Sequence, residues 1–416
     1  MRLRLHGLVL LLALTGFPAT AAEPDAIRIL VFGDPQPKSA ADVDYFARDV
    51  VAPAMPEAKR SVGGVSLGDI TNDVPALYPG VKAATDKLGV PWLYAPGNHD
   101  VDLDAKSDAD SLRSFIAAFG RDNVTWDHDL ASIAVLDDVV AMPGQKPAYV
   151  GGLRDDRFAM LEKWLATLPR ERLVIVAAHI PFFDTAPGTF RAADRARLFA
   201  LLKPFPNVLL LSAHTHNQQH FFHDAKDGWQ GAKPLHEYNV GAACGAFWSG
   251  VADAEGIPDS TMSDGTPNGF ATIEVKRGGA YSLAWHPARD AADTQIALHA
   301  TKVLRRGAYP AFGVYANYFM GHAASRVEFR VDGGEWKAMT RVEQADPRLV
   351  AENVRDDAAD TLRGFDRSPE ATPSTHLWRG ALPTSLAVGE HNVEVRAFDE
   401  SRGEVTAKTT YRLEER

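Results

Sequence analysis

Five short segments of this sequence carry residues that bind cations or move protons. Gly33-Asp34-Pro35-Gln36 follows the apolar run Ile27–Phe32, and Gly68-Asp69 follows Val62–Leu67, with Asn72 and Asp73 just beyond. Gly97-Asn98-His99-Asp100 follows Trp92–Ala95, His179-Ile180-Pro181 follows Leu173–Ala177, and Ala213-His214-Thr215-His216 follows Val208–Leu211. Carboxylate, amide oxygen and imidazole together form the mixed oxygen and nitrogen shells of divalent cations, and a carboxylate can bridge two of them. Two cations about 3.5–4 Å apart can clamp the entering and leaving oxygens of a phosphoester and acidify a water between them. With only Asp34 and Asp69 set against two such cations, the site stays net positive, so hydroxide and phosphate can be held together. Singly, each segment has a plainer reading. Gly-Asp is a common turn, Asn-His-Asp a helix cap or Asx turn, and His-Thr-His a half-exposed strand. Five in one chain, each behind an apolar run, favour the joint chemical reading.

The elements that must position these residues are legible in the same runs. Together with Ile133–Leu136 they are near-continuous apolar stretches of strand length, the pattern of strands covered on both faces. Helical spacing lies between them: Val43, Phe46 and Val50 after the N-cap candidate Ser39, then Phe158, Leu161, Leu165 and Leu168 before Pro169, then Leu198, Leu201 and Leu202. Strands alternating with helices predict an α/β domain with largely parallel pairing, whose ligand site lies at the C-terminal strand ends. Glycine before Asp34, Asp69 and Asn98 is expected to let the backbone turn sharply there.

After about residue 290 the texture changes. Ser325–Val331, Leu377–Arg379 and Asn392–Phe398 read as strands, separated by turn signals such as Asp332-Gly333-Gly334. That predicts an all-β, sandwich-like module. Asp346–Pro369 reads as a long loop or a short helix. The organisation expected is a signal peptide at 1–22, an α/β domain at 23–289 and a β-domain at 290–416.

Arg2 and Arg4, the apolar run Leu8–Leu14 and the small residues Ala19-Thr20-Ala21-Ala22 have the layout of a cleavable secretory leader, too short to span a bilayer. A periplasmic or secreted protein is expected. It would not be a lipoprotein, since the single cysteine is Cys244, far from the cleavage point. One cysteine also excludes an intrachain disulfide, and Cys244 reads as a buried small apolar residue. The 44 basic against 54 acidic residues, a net charge of −10, argue against a nucleic-acid partner, which needs a basic face. They do not argue against a small phosphoester, because local cation charge outweighs a distant net charge.

The order Asp-x-Gln, Gly-Asp, Gly-Asn-His-Asp, His-x-Pro, Ala-His-Thr-His resembles the signature of the calcineurin-like metallophosphoesterase superfamily, over residues 27 to about 287. The resemblance implies a layered sandwich of two mostly parallel sheets flanked by helices, and two divalent metal ions (Mn, Fe, Zn or Mg). It assigns Asp34, Gln36 and His216 to the first metal and Asn98, His179 and His214 to the second, with Asp69 bridging. It makes His99 the general acid, with Asp100 holding its ring. Gln36 departs from the family pattern, which has histidine there. An amide oxygen is a harder and weaker donor, so a looser first site is expected, with Gln36 either a ligand or a hydrogen bonder behind the ligands.

Asp34-Pro35-Gln36, Gly241–Gly245, Asp264–Gly269 and Ser374–Trp378 also resemble bacterial members with a dedicated C-terminal β-domain. The Asp-Pro-Gln motif occurs in a branch whose animal members are protein phosphatases. The expected function is therefore metal-dependent hydrolysis of phosphomonoesters or phosphodiesters. Two alternatives are a phosphatase acting on phosphoproteins and a catalytically weak envelope-binding protein using its β-domain.

Other features read as follows. Phe247 and Trp248 line a substrate pocket or, the favoured reading, pack as a core pair. Asp264–Gly269 reads as a backbone cradle for phosphate or, the favoured reading, a surface loop, and Trp126 and His128 as a rim over the site. Trp336, His376 and Trp378 are expected to pack the sandwich. His220, His223 and His236 have no ligand spacing.

Overall fold

The computed structural model describes residues 25–291, 293–309 and 311–415, so the expected leader at 1–22 lies outside the described residues. The apolar runs become strands because their side chains are buried on both sides. β1 (Ala26–Phe32), β2 (Gly63–Leu67) and β3 (Trp92–Ala95) pair in parallel. There follow β4 (Val124–Asp127), β5 (Ala131–Val135), the short pair β6 (Val139–Ala141) and β7 (Tyr149–Gly151), and β8 (Leu173–Ala177). Next come β9 (Val208–Ser212), β10 (Gln219–His223) and β11 (Leu235–Asn239). β12 (Gly269–Lys276) and β13 (Tyr281–Pro287) return to the first sheet, whose order is β13-β12-β1-β2-β3. The second sheet runs β10-β11-β9-β8-β5-β4, parallel through its centre and antiparallel at both edges.

The second sheet shows how an apolar run serves two faces. Ile133, Val135, Ile175, Leu209 and Leu211 point inward toward the first sheet. Ala134, Val174, Val176 and Leu210 point outward. There they meet Phe158, Leu161, Leu198 and Leu202 of the helices Asp155–Leu165 and Ala192–Leu202. On the first sheet, Ser39 caps the helix that carries Phe46, its Oγ accepting from Asp42 N at 3.2 Å. Phe46 meets Phe32 edge-on at 5.6 Å. The α/β layered sandwich expected from the sequence is the fold.

The later strands form two further sheets. β14 (Ile296–Ala300), β16 (Gly313–Tyr318), β20 (Pro373–Ala381) and β19 (Thr340–Ala345) make one, in the order β14-β16-β20-β19. The other runs β15-β22-β21-β17-β18, from β15 (Val303–Arg305), β17 (Val327–Val331), β18 (Lys337–Ala338), β21 (Gly389–Asp399) and β22 (Gly403–Glu414). Asp346–Pro369 contains the helix Pro347–Asp357, capped by Asp346, which accepts from Arg348 N at 2.8 Å. The remainder is an irregular arm that crosses to the first domain through Gly250 N→Asp366 O (3.2 Å) and Ala252 N→Arg363 O (2.9 Å). Among the described residues, no helix is long and apolar enough to cross a membrane.

Candidate metal centre

The C-terminal ends of β1, β2 and β3 on one sheet and of β8 and β9 on the other meet in one place. The chain between Val240 and Cys244 sews the sheets together: Gly33 bridges Ala242, and Ala243 N and Cys244 N donate to Gly33 O and Asp34 O at 2.7 and 3.0 Å. A side chain at Gly33 would meet Gly241 O at 2.8 Å. At Gly97 it would meet Asp69 N and Oδ1 at 2.2 Å. Of the three glycines before Asp34, Asp69 and Asn98, Gly68 alone has positive φ (+93°), with the His179 ring packed against it. The sharp turns fall instead on the chemical residues themselves. Asp34, Gln36, Asp69, Asp73, His214 and His216 all adopt left-handed φ of 37–70°. Non-glycine residues hold such conformations only where the surroundings over-determine them, and they gather at functional sites. The expectation that glycine does the turning is corrected: Gly33 and Gly97 are small to allow close approach.

Asp69, His179 and His214 offer ligand atoms all within 4.8 Å of one another. His179 Nδ1 lies 2.8 Å from the Leu67 carbonyl oxygen, which can only accept, so Nδ1 carries the proton and Nε2 a lone pair. That lone pair faces two acceptors, Asn98 Oδ1 at 3.0 Å and Asp69 Oδ2 at 3.4 Å, and His214 Nδ1 at 3.1 Å. Buried acceptors facing one another repel unless a cation lies among them. Electrostatics also favour positive charge at this point: burial works against it, yet the Asp69 and Asp34 carboxylates more than offset that and raise the His179 ring to about 10, a charge that a metal ion on the Nε2 lone pair would supply in place of a proton. Burial, first, pushes His214 down to about 3, which leaves that ring neutral and able to ligate. Asp69, Asn98, His179 and His214 therefore fit a divalent metal ion.

A second group lies next to it. His216 Nδ1 is 2.6 Å from Gly245 O, so its Nε2 is also a lone pair, 3.8 Å from Asp34 Oδ1. Asp34 is fully buried, and burial raises its carboxyl. Gln36 presents Nε2 to Asp69 Oδ2 (3.4 Å) and Asn72 Oδ1 (3.2 Å), while Oε1 lies 3.8 Å from Cys244 Sγ. In this arrangement the amide nitrogen donates to the Asp69 carboxylate and the Asn72 amide oxygen. Cys244 is buried, and burial pushes its thiol well up.

His99 donates its backbone N–H to Asp69 Oδ1 at 2.8 Å, and its side chain is 31 % exposed. Its ring partner is not Asp100. Residues Asn98–Asp100 form one 3-10 turn, so neighbouring side chains leave it in different directions. Asp100 points inward, accepting from Gly97 N (2.8 Å), Ile70 N (3.0 Å) and the Tyr78 hydroxyl (3.0 Å). The carboxylate beside His99 belongs to Asp73, with Oδ1 3.1 Å from Nδ1 though not aligned as a hydrogen bond.

Sequence reasoning missed Asp138, which accepts from His179 N and Ile180 N at 3.2 Å and fixes the start of that loop. Its signal was present: it follows the run Ile133–Leu136 just as the ligand candidates follow theirs. Tyr149, edge-on to the His214 ring at 6.0 Å, had no such signal. Phe247 and Trp248 divide between the two readings offered for them, Trp248 buried and Phe247 47 % exposed against His216. Asp264–Gly269 is not a surface loop, since Asp264 and Thr266 are buried. Trp126 lines a small cavity with Gly63, Gly64 and Pro91, at the opposite strand ends, so it is no rim of the site. His223 pairs with buried Glu237 at 2.7 Å, and His220 and His236 link to the Tyr281 hydroxyl, apart from the centre.

Residues 27–218 match the family model described as calcineurin-like phosphoesterase, and residues 237–404 match that of the C terminal of calcineurin-like phosphoesterase. No curated protein matches the chain. Among solved structures, a dimetal phosphatase from Danio rerio is 13 % identical, with TM-score 0.45 over 63 % of this chain and 96 % of that one. GAP50, titled the anchor in the inner membrane complex of Plasmodium, is 14 % identical, with TM-score 0.42 over 64 % and 86 %. A purple acid phosphatase from yellow lupin (Lupinus luteus) seeds is 12 % identical, with TM-score 0.38 over 94 % and 55 %.

Proposed function

The chain belongs to the calcineurin-like phosphoesterases, and from that premise we propose that it hydrolyses phosphomonoesters or phosphodiesters at a pair of divalent metal ions. The observation that carries this reading is the lone pair of His179 Nε2 facing Asp69 Oδ2 and Asn98 Oδ1, an arrangement that calls for a cation. Asn98, His179 and His214 would hold one ion, Asp34 and His216 the other, and Asp69 both. Such a pair supplies an acidified water and neutralises the phosphoryl oxygens.

The chain's own residues do the rest. Asp138 fixes the His179 backbone, Gly245 O fixes the His216 ring, and Gln36 holds Asp69 from behind. His99, partly exposed and flanked by the Asp73 carboxylate, protonates the leaving oxygen. The N-terminal pattern supports export with cleavage after Ala21 or Ala22; exported protein still beginning at Met1 would refute that.

Metal analysis of the purified protein and hydrolysis of p-nitrophenyl phosphate and its bis ester with Mn²⁺, beside Asp69→Ala, test the reaction. The wild type is expected to hold metal and turn over at least one ester, with activity in Asp69→Ala lower by about 10²-fold or more. Equal activity in both proteins would exclude the metal reaction.

A further inference from the structure

Phe247 and Trp248 are consecutive bulky residues with φ of 58° and 55°. An L-residue with a large side chain avoids that region, so the conformation must be imposed by what surrounds it. Three contacts impose it. Trp248 is 1 % exposed and donates Nε1 to Pro35 O at 3.0 Å, one residue past Asp34. Its N–H donates to Cys244 O at 3.0 Å, closing a tight loop. Gly245 at φ +56° lies so close to the next strand of chain that a side chain there would meet Ser260 O at 1.6 Å. With Trp248 as the buried anchor, the core has no need of Phe247. Its ring nevertheless stands against the centre, stacked on His216 at 4.4 Å and 28°, with 47 % of the residue exposed.

We propose that Phe247 is a stacking platform for the organic group of the substrate, so that the site prefers phosphoesters of aryl or similarly planar apolar alcohols. This rests on the phosphoester reading of the metal centre. The phosphate would be held at the metal centre, and a flat group attached to it would find the free part of the Phe247 ring beside His216. Offset aromatic pairs of this kind are worth about 3- to 10-fold in affinity. Phe247 is a specificity residue rather than part of the bond-breaking machinery, so its effect should fall on binding.

The test uses the full chain loaded with Mn²⁺, its metal content measured for every variant. Calorimetry gives the dissociation constants of phenylphosphonate and methylphosphonate, and kinetics give kcat/KM for phenyl phosphate and methyl phosphate. In Phe247→Ala the preference for phenyl over methyl is expected to fall about 3- to 10-fold in both measurements, mainly through KM, and Phe247→Tyr should restore it. Phe247→Leu keeps an apolar cover on His216 without an aromatic face and should lose the preference even if the alanine variant loses metal. An unchanged preference in Phe247→Leu at full metal content would overturn the proposal. A wild type that holds metal and cleaves esters without preferring the phenyl group would also overturn it, leaving the phosphoester reading intact. A wild type that cleaves none sinks that reading and this one together.

Discussion

At His99, ring nitrogen Nδ1 lies 3.1 Å from Asp73 Oδ1, while the adjacent Asp100 commits its carboxylate to the N–H groups of Ile70 and Gly97 and to the Tyr78 hydroxyl. The two acids should therefore fail differently. Asp73→Asn is expected to lower kcat about 10-fold while metal content and thermal midpoint stay near wild type, because only the setting of the general acid changes. Asp100→Ala strands several buried donors, each worth about 1–3 kcal/mol, so it should appear first as a loss of stability in denaturant titration. Reversed results would return Asp100 to the role beside His99.

Single elements carry their own consequences. The turn after β3 passes so close to Asp69 that Gly97→Ala puts a methyl group 2.2 Å from Asp69 N and Oδ1. Metal affinity, measured by competition with a chelator, should fall about 10- to 100-fold, as for other residues that orient ligands. A kinetic effect with unchanged affinity would show that the turn can give way.

In the later sheets, His391 at the start of β21 offers both ring nitrogens to acceptors, Asp332 Oδ2 at 2.6 Å and Ala387 O at 2.8 Å. Burial opposes protonation, but these two partners raise the ring above its ordinary value. A raised histidine stabilises the folded chain fully below its unfolded pKa of about 6.5, and that contribution is lost as pH rises through the higher folded value. The thermal midpoint should fall over that window in wild type, and the fall should shrink in Asp332→Asn.

Across the whole molecule, the two expected domains turn out to share their interior. One apolar cluster runs from Ile29 and Leu211 through Tyr238 and Trp285 to Tyr318, Met320 and Val395. A buried polar network joins them as well. Asp264 accepts from Gln218 N at 2.8 Å, two residues past His216, and lies 3.1 Å from His376 Nε2. His376 Nδ1 and Asn317 Oδ1 are 2.7 Å apart, and Asn317 Nδ2 donates to Asp264 O at 2.8 Å. His376→Ala leaves a buried carboxylate short of a partner and should cost about 3–5 kcal/mol in denaturant titration. A fragment ending at residue 289 is expected to be insoluble or unfolded, since its share of the cluster would face water. A cooperative, metal-binding fragment would show that the β-module is dispensable.

Read alone, the sequence determined the six apolar strands at the heart of the α/β domain and the polar residues at their ends, because continuous apolar runs followed by Asp, Asn or His are local patterns. Trp92–Ala95 and Leu173–Ala177 match their strands residue for residue. Asp138 obeyed the same local rule and was legible in principle. What only the tertiary structure decided concerns direction and neighbourhood: Asp100 turned inward and Asp73 brought to His99, the Gln36 amide aimed by Asn72, and Asp264 joined to His376 over more than a hundred residues. Those outcomes depend on left-handed backbone at individual residues and on contacts between distant segments, and neither leaves a periodic trace in the order of amino acids.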